Sequence, residues 1–426
     1  MPSRELRELQ LRRLRECLGR ASEVPFYHEL FRQRGLKSDS IRILEDIRRY
    51  PFTTKADLRR HYPLDMLAVP RESLARIHGS SGTTGTPTFV AYTKDDLDTW
   101  AGLCARFLVA GGLCSHHIVH VAFGYGLFTG GFGLHYGIEK TGAAVIPAAS
   151  GNTLRQLMLI EDLKPDALVC TPSYALTIAD AARKNGLDSR RFNLKYAYLG
   201  GEPWTEDLRA VIESEFDILA FNNYGLSEII GPGVSGECLQ RQGMHIQEDH
   251  FLVECIDPGT LEPVADDEPG ELVFTTLTRQ AMPMVRYRTR DIASLTHERC
   301  SCGRSGVRMS RIKGRSDDML VIRGVNIFPS QIEEALLRVD RGITHYMIEV
   351  DRPETLDELT VRVELQVNGF SGQSGGSQAA QELLRQSIYA VTGVRARVEL
   401  AVAGTLERSE GKAKRVVDRR GRKDNR

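Results

Sequence analysis

The chain has 426 residues, more than one hydrophobic core usually serves, so we expect at least two domains. Its 56 Lys and Arg balance its 56 Asp and Glu, so it lacks the net field that draws nucleic acid or an anionic membrane. The sequence shows no signal-peptide pattern and no bilayer-spanning apolar run, and its eight cysteines do not suggest a secreted disulfide scaffold. We therefore expect a cytoplasmic protein that binds neither nucleic acid nor membrane.

The first 75 residues carry a helical pattern, with apolar spacing around Leu6, Leu9, Leu11 and Leu14. From there to about residue 310, short apolar runs alternate with helical patterns. The runs predict strands at residues 117–123, 143–147, 167–170 and 196–199, and the helical patterns between them cover residues 153–163 and 174–185. Buried strands separated by helices predict a parallel sheet in an α/β architecture.

The pattern changes near Gly314. The elements predicted beyond it are a hairpin at 318–328, a helix after Pro329, strands at 343–350 and 359–367, a helix at 379–391 and a strand at 395–402. They form a compact α+β unit of ordinary domain size. We expect a large N-terminal domain, residues 1–313, and a small C-terminal domain, residues 314–426. The basic run at 415–426 is typical of a solvated tail.

The segment HGSSGTTGTPT at residues 78–88 is dense in glycine and hydroxyl side chains. Glycines let backbone N–H groups turn inward to form an anion-binding nest, and serine and threonine hydroxyls add donors. The spacing does not match G-x-x-x-x-G-K-[ST], so this is not the phosphate loop of the common nucleotide triphosphatases. The segment predicts a site for phosphate oxygens, with an ordinary flexible turn as the alternative.

Further motifs follow in order along the chain: YGLSE at 224–228, YRTRD at 287–291, GRSDDM at 314–319 and GKA at 411–413. Together with SSGTTG at 80–85, they resemble the adenylate-forming superfamily, and within it the phenylacetate–coenzyme A ligases. The resemblance implies a large adenylate-forming domain with parallel sheets and a small mobile α+β domain. It also implies an enzyme that uses ATP, Mg²⁺ and coenzyme A.

The resemblance and the residue chemistry together indicate the ATP site. The phosphate loop comprises Ser80, Ser81, Gly82, Thr83, Thr84 and Gly85. The residues that the resemblance places around adenine and ribose are Gly201, Glu202, Pro203, Asn223, Tyr224, Gly225, Asp291 and Arg315. Glycines after a strand let a flat ring lie close to the backbone, at the edge where open α/β sheets bind ligands. A tight turn at 200–203 and a salt-bridge network among Arg286, Arg288 and Arg290 are the alternatives.

Lys412 is by resemblance the catalytic lysine of the small domain. Attack of a carboxylate on a phosphate brings two anions together, and an ammonium group that reaches both lowers the barrier. The resemblance assigns Glu228 to Mg²⁺, which binds carboxylate and phosphate oxygens. It assigns Asp317 to the hinge on which the small domain turns between adenylation and thioester formation. By composition alone, Lys412 is part of a basic tail and Glu228 a surface charge.

The segment GYGLFTGG at 124–131 is the candidate lining for the acid. Aromatic rings form a slot for a flat apolar acid, and glycines leave room for it. By resemblance this segment contacts an aryl group, and the candidate contacts are Tyr125, Phe128, Gly130, Gly131 and His135. Plain core packing is the alternative for Tyr125 and Phe128 and the favoured interpretation for His135.

A second candidate site is a cysteine cluster. Cys300 and Cys302 form a C-x-C knuckle preceded by Cys238 and His245, and three cysteines with one histidine are a regular set for structural zinc. Cys255 and His250 are alternative members, and free buried cysteines are the other interpretation. The resemblance favours zinc.

The leading hypothesis is therefore ATP-dependent activation of an aromatic carboxylic acid, of phenylacetate, benzoate or anthranilate type, to an acyl adenylate. Transfer to coenzyme A then gives the thioester, AMP and pyrophosphate. One alternative is a stand-alone adenylation enzyme that loads a carrier protein, and another is a non-catalytic nucleotide-binding relative. We expect a homodimer, the commonest closed symmetry.

Overall fold

The computed structural model describes residues 3–80, 88–323, 325–340, 342–353, 356–364, 376–402, 404–406 and 415–420. The α-helices in these ranges are α1 (Ser3–Ser22), α2 (Pro25–Gln33), α3 (Lys55–Arg60), α4 (Lys94–Ala110), α5 (Thr129–Thr141), α6 (Thr153–Leu163), α7 (Pro172–Lys184), α8 (Glu206–Phe216), α9 (Pro329–Val339) and α10 (Gly376–Thr392). Within the same ranges, no helix combines the length and the apolar character needed to cross a bilayer.

The strands up to the middle of the chain are β1 (Arg76–Gly79), β2 (Phe89–Tyr92), β3 (Ile118–Val121), β4 (Ala144–Ile146), β5 (Ala167–Cys170), β6 (Tyr196–Leu199), β7 (Leu219–Leu226), β8 (Gly231–Glu237), β9 (Met244–Ile246), β10 (Phe251–Ile256), β11 (Gly270–Thr276) and β12 (Tyr287–Ala293). Those that follow are β13 (Leu295–Thr296), β14 (Arg308–Met309), β15 (Gly314–Arg315), β16 (Leu320–Ile322), β17 (Val325–Ile327), β18 (Tyr346–Asp351), β19 (Glu358–Glu364), β20 (Arg397–Ala401) and β21 (Val416–Asp418).

The main sheet orders its strands β13-β14-β9-β8-β7-β6-β5-β3-β4. From β4 to β7 neighbouring strands run parallel, as predicted, with β5 buried along its whole length. From β7 to β13 the pairing is antiparallel, which the sequence did not indicate. Strand β8 is rich in glycine, and β13 and β14 are two residues long, so none of these three shows a strand pattern in the sequence. The α/β fold class is confirmed, with a mixed rather than purely parallel sheet.

A second sheet, β10-β11-β12-β15, is antiparallel throughout. Its strands hold two buried ion pairs, Arg286 with Glu254 and Arg288 with Glu271. The partly exposed Arg290 also lies 3.6 Å from Glu271, so the salt-bridge interpretation of the arginine-rich segment is correct for all three arginines. Strand β15 pairs with Asp291 and Ile292 of β12, which places Arg315 beside Asp291.

Helix α5 packs very closely on α4 because α5 carries glycines one turn apart. A Cβ atom added at Gly133 would lie 2.4 Å from the Trp100 ring, and one at Gly137 would lie 2.3 Å from Cys104 Cβ. The Trp100 indole N–H donates to the Pro232 carbonyl at 2.8 Å, which links α4 to β8. This packing fixes the helix whose first residues belong to the candidate acid-binding segment.

The C-terminal part is an α+β unit with sheet order β20-β19-β18-β21, and α9 and α10 contribute to its apolar core. Its predicted hairpin, helices and strands are present with shifts of a few residues. The interpretation of residues 415–426 as a solvated tail is wrong for their first part. Val416–Asp418 forms β21, which pairs in parallel with β18, and the Arg415 side chain is largely buried against Glu333. Apolar Val416 and Val417 supply the strand that the surrounding charges obscured.

Candidate active site

Two of the predicted adenine-binding segments lie against each other at the carboxyl end of the parallel strands. Strand β6 ends at Leu199, and the Asn223 side-chain amide on β7 donates to the Leu199 carbonyl at 2.8 Å. A Cβ atom at Gly200 would lie 2.6 Å from the Asn223 carbonyl oxygen, and Gly201 has a φ of +84°. Only glycine tolerates this approach and this backbone conformation, so the loop that contains Glu202 and Pro203 sits directly beside Asn223.

Asp291 is bonded on both sides by predicted nucleotide-binding residues. The Tyr224 hydroxyl donates to Asp291 Oδ2 at 2.8 Å, and Arg315 donates to Oδ1 at 3.0 Å. Burial, reinforced by the neighbouring Asp291 carboxylate, holds the pKa of Tyr224 well above its usual value, so the phenol remains a donor. The arrangement fixes a buried carboxylate at the edge of β12, with the charge and orientation that ribose hydroxyls require of an acceptor.

Arg315 also joins this carboxylate to the predicted hinge. Its Nε and its terminal nitrogen donate to the two oxygens of Asp317 at 2.9 and 3.0 Å. Burial acts to lower the pKa of Arg315, but Asp291 and Asp317 outweigh it and raise that pKa above its usual value. The side chain of Asp317 itself is half exposed. Arg315 is thus a permanent cation between the Asp291 carboxylate and the exposed segment that begins the small unit.

Glu228 is buried rather than a surface charge. Its side chain is 6% exposed, and its Oε1 lies 3.1 Å from Nζ of Lys55, the first residue of α3. A buried carboxylate with an adjacent, partly exposed lysine offers oxygen ligands of the kind that Mg²⁺ prefers. The residue chemistry therefore fits a magnesium site. Lys55 was not anticipated, since nothing in the N-terminal sequence marks it as a partner of Glu228.

Strand β1, which precedes the predicted phosphate loop, is hydrogen-bonded to the candidate acid-binding segment. The Gly79 amide donates to the Leu127 carbonyl at 2.8 Å, and His78 Nδ1 donates to the same oxygen at 3.1 Å. The Ser80 amide donates to Thr88 at 2.9 Å, so the loop starts and returns at one point. Burial lowers the pKa of His78, which keeps the ring neutral. The other loop residues, Ser81, Gly82, Thr83, Thr84 and Gly85, and the catalytic candidate Lys412, lie outside the described residues.

Tyr125, in the loop before α5, forms an aromatic cluster with two residues of that helix. The Tyr125 hydroxyl and His135 Nδ1 are hydrogen-bonded at 3.2 Å, and the Tyr125 ring meets Phe132 edge-on at 5.3 Å. His135 Nε2 lies 3.3 Å from Glu139. A Cβ atom at Gly131 would lie 2.7 Å from the Gly124 carbonyl, and one at Gly130 would touch the Phe123 ring. Gly131 is therefore required for the close approach of the helix to the Gly124 carbonyl, whereas the contact at Gly130, 3.5 Å, is an ordinary one.

Phe128 differs from the expectations about it. Half of its side chain is exposed, so the core-packing alternative is wrong for this residue. Phe132 instead provides the second ring of the cluster with Tyr125, and it also contacts His78 at 5.7 Å. The sequence contained the signal, because Phe132 follows the two glycines one helical turn before Tyr136.

The four predicted zinc ligands converge, and the alternatives do not join them. All four ligand atoms of Cys238, His245, Cys300 and Cys302 lie within 4.8 Å of one another. Cys238 and Cys300 sulfurs are 3.8 Å apart, and Cys302 Sγ lies 3.5 Å from His245 Nε2. A zinc tetrahedron with bonds of about 2.3 Å to sulfur and about 2.0 Å to nitrogen separates its ligand atoms by roughly 3.5–3.8 Å. Cys255 bonds the Ala293 carbonyl and His250 bonds Thr278 instead.

The protonation states of the cluster's histidine and of one of its cysteines also favour zinc binding. Burial lowers the pKa of His245 to about 4, so its imidazole is neutral, the form that ligates zinc. Burial alone would raise the pKa of Cys302, but hydrogen bonds from Arg304 and the neighbouring cysteines lower it to about 7. The donor set and spacing thus fit zinc with four protein ligands, which leaves no open position for catalysis.

Comparison with known proteins agrees with this geometry. Residues 24–281 match the family model for AMP-binding enzymes, and residues 324–420 match that for the AMP-binding enzyme C-terminal domain. A phenylacetate–coenzyme A ligase of Thermus thermophilus is 48% identical over 99% of this chain and 98% of its own. That of Escherichia coli is 47% identical over 98% of this chain and 95% of its own.

Solved structures give the same result. A 2-hydroxyisobutyryl-CoA ligase in the post-adenylation state, with its acyl adenylate, is 30% identical and matches with a TM-score of 0.93 over 98% of this chain and 90% of that chain. The same ligase in its thioesterification state, with coenzyme A, matches with a TM-score of 0.73 over 99% of this chain and 91% of that chain. The expected adenylate-forming fold and acid–thiol ligase class are confirmed. The chain belongs to the AMP-binding enzymes, and within them to the phenylacetate–coenzyme A ligase family.

Proposed function

We propose that this protein is an AMP-forming ligase that joins an aromatic carboxylic acid to coenzyme A. The observation that carries the proposal is the near-complete match to curated phenylacetate–coenzyme A ligases at 46–48% identity. The Tyr224–Asp291–Arg315 arrangement supports it, since a binding protein would not need a hinge-linked arginine on the ribose carboxylate.

The reaction has two steps. A carboxylate oxygen of the acid bonds to the α-phosphorus of ATP, and the bond to pyrophosphate breaks. The sulfur of coenzyme A then bonds to the acyl carbon, AMP leaves with the electron pair, and the thiol proton is released. We assign Asp291 to the ribose, residues 200–203 and 223–225 to adenine, and the loop at 80–85 to the phosphates. Lys412 would bridge the carboxylate and the α-phosphate in the first step.

The metals have separate roles. We assign Glu228 to Mg²⁺, which when bound supplies charge neutralisation at the phosphates. Cys238, His245, Cys300 and Cys302 would hold a structural zinc ion. That ion would tie the turn after β8 to the turn before β14, and so support the sheet whose β7 carries Tyr224.

For the acid we propose an aryl group against Tyr125, Phe132 and His135. The cluster offers two ring faces and a polar pair, which suits a flat acid more than a short branched one. We also propose residues 1–313 and 314–426 as the two domains, with Asp317 at the hinge.

Two partner assignments are also proposals. Coenzyme A is the preferred acceptor and a carrier protein the alternative. The homodimer is still a prediction, although Leu14, Leu18 and Ala21 of α1 are fully buried within the chain itself. The apolar face of this helix is therefore not available for a partner subunit. Sedimentation velocity of the purified protein tests the dimer.

The deciding experiment measures AMP release with ATP, Mg²⁺ and coenzyme A over a panel of aryl and short aliphatic acids, with Lys412→Ala beside the wild type. We expect turnover on phenylacetate or a related aryl acid, and its loss in the variant. Adenylate formation without transfer to coenzyme A would favour a carrier protein. No acid-dependent AMP from the folded wild type would favour a binding protein.

A further inference from the structure

Glu333 is a buried carboxylate of the C-terminal unit that faces the nucleotide loop, defined here as residues 200–205. It lies on α9, is 3% exposed, and accepts a hydrogen bond from the Tyr346 hydroxyl at 2.9 Å. Its other oxygen lies 3.4 Å from the hydroxyl of Thr205, the residue that caps α8. A carboxylate this buried requires such partners, because water cannot solvate it.

Arg415 completes the cluster. It forms an ion pair with Glu333, donates to the Tyr346 hydroxyl at 2.8 Å, and stacks over the Tyr346 ring at 4.6 Å. Burial lowers the pKa of Arg415, and the carboxylate of Glu202 in the nucleotide loop acts against this shift. Arg415 therefore interacts electrostatically with Glu333 of the C-terminal unit and with Glu202 of the nucleotide loop. In sequence it lies three residues after Lys412 and directly precedes β21.

Two further contacts join the same surfaces. Leu337 of α9 is buried among apolar residues of α7 and α8, and His345 Nε2 lies 2.9 Å from Asp180 Oδ2 on α7. The solved ligase occurs in two states, and this chain matches its post-adenylation state more closely than its thioesterification state. The contacts of Glu333, Leu337 and His345 therefore belong to a domain arrangement that resembles the post-adenylation state.

We infer that Glu333 is a positioning residue for adenylation, which ties Arg415 and Tyr346 to the nucleotide loop while the adenylate forms. The inference rests on the proposed two-step function. Among the described residues, Glu333 contacts Arg415, Tyr346 and Thr205, and it acts through Arg415. Without the charge of Glu333, the buried Arg415 loses its ion pair, so the first-step arrangement is disfavoured. The second step does not use this arrangement, so the rate of thioester formation should be unchanged.

The test separates the half-reactions. In Glu333→Gln, acid-dependent ATP–pyrophosphate exchange should fall about 10- to 100-fold, the effect of losing one or two hydrogen bonds to a charged group. Thioester formation from the supplied acyl adenylate and coenzyme A should stay within about twofold of wild type. Lys412→Ala should show the same split. Glu334→Gln, the next residue on α9, which pairs only with the exposed Arg338 among described residues, should change neither half-reaction.

Tyr346→Phe provides a second variant that keeps the ring and removes only the hydroxyl, in case Glu333→Gln does not fold. Exchange unchanged in both folded variants, or an equal loss in both half-reactions, would overturn the inference. If the folded wild type shows no acid-dependent pyrophosphate exchange with any acid of the panel, the proposed function fails instead. The two failures are therefore distinguishable.

Discussion

Nζ of Lys55 and Oε1 of Glu228 form an ion pair of 3.1 Å, which joins α3 to a candidate active-site carboxylate. Glu228 is the candidate magnesium ligand, and the Lys55 ammonium group lies against one of its two carboxylate oxygens, Oε1. An ammonium group and Mg²⁺ compete for a carboxylate, because each gains from its negative charge. Lys55 therefore holds Glu228 in place before the metal arrives.

We expect Lys55→Ala to lower the Mg²⁺ concentration needed for half-maximal activity by about 2- to 10-fold, corresponding to a partly exposed ion pair. Glu228→Gln should raise that concentration and reduce kcat. The measurement is initial rate against Mg²⁺ at saturating ATP. Arg60→Ala, on the same helix with an exposed side chain, is the control and should match wild type. A raised requirement in Lys55→Ala would mean that Lys55 assists the metal rather than competing with it.

The bond from Tyr224 to Asp291 gives a second prediction. Tyr224→Phe removes one of the donors that fix the Asp291 carboxylate and should raise the KM for ATP about 2- to 10-fold, with little change in the KM for the acid. Steady-state kinetics with each substrate varied in turn measures this split. Tyr62→Phe, at an exposed position, should leave both values unchanged. Equal changes in both KM values would show that the hydroxyl has only a general structural role.

The sequence was informative where chemistry depends on short motifs. It identified Tyr224, Asp291 and Arg315 because each belongs to a local pattern, and the structure brings all three together. Likewise the C-x-C knuckle led to Cys238 and His245, although they lie far apart in the chain.

Sequence-based prediction failed where function depends on contacts between segments that are far apart in the chain. Lys55 and Glu333 belong to no motif, and only the fold brings them to Glu228 and Arg415. The antiparallel half of the main sheet was missed for the same reason. Its short strands gain their stability from neighbours, not from local periodicity.

Zinc gives a third prediction. Metal analysis should find about one zinc per chain, and removal with a strong chelator should lower Tm by about 5–10 °C, because binding to four protein ligands contributes to folding free energy. Cys302→Ser should reproduce this loss, whereas Cys114→Ser, at an exposed cysteine outside the cluster, should not. A metal-free protein with wild-type Tm would contradict the assignment.

The close packing of α5 on α4 gives a fourth prediction. Gly133→Ala places a Cβ 2.4 Å from the Trp100 ring, so the ring or the helix must shift. We expect a loss of about 1–3 kcal/mol in unfolding free energy, measured by urea denaturation. We also expect a raised KM for the acid, because α5 carries His135, which bonds Tyr125. Gly19→Ala, in α1 with open space around it, should instead stabilise by about 0.5–1 kcal/mol. An equal effect of the two substitutions would contradict the packing argument.

Asp166 gives a pH-dependent prediction. Burial acts to raise its pKa, but a hydrogen bond from Lys195 at 2.8 Å and one from the Ile118 amide at 2.9 Å outweigh burial and hold the pKa below its usual value. A carboxyl group with a lowered folded-state pKa stabilises the fold above its unfolded pKa, near 4, and loses that contribution as pH falls through the folded value. Asp166→Asn should therefore reduce stability by about 1 kcal/mol at pH 7, with a smaller difference from wild type below about pH 3.5. Thermal unfolding at both pH values measures the difference, with exposed Asp162→Asn as the control.

A difference that stays constant with pH would mean that Asp166 acts through shape alone. Because Asp166 joins the start of β3 to β5 and β6, the loss should appear as lower stability of the sheet that carries the nucleotide loop, without a change in the KM for ATP at 25 °C.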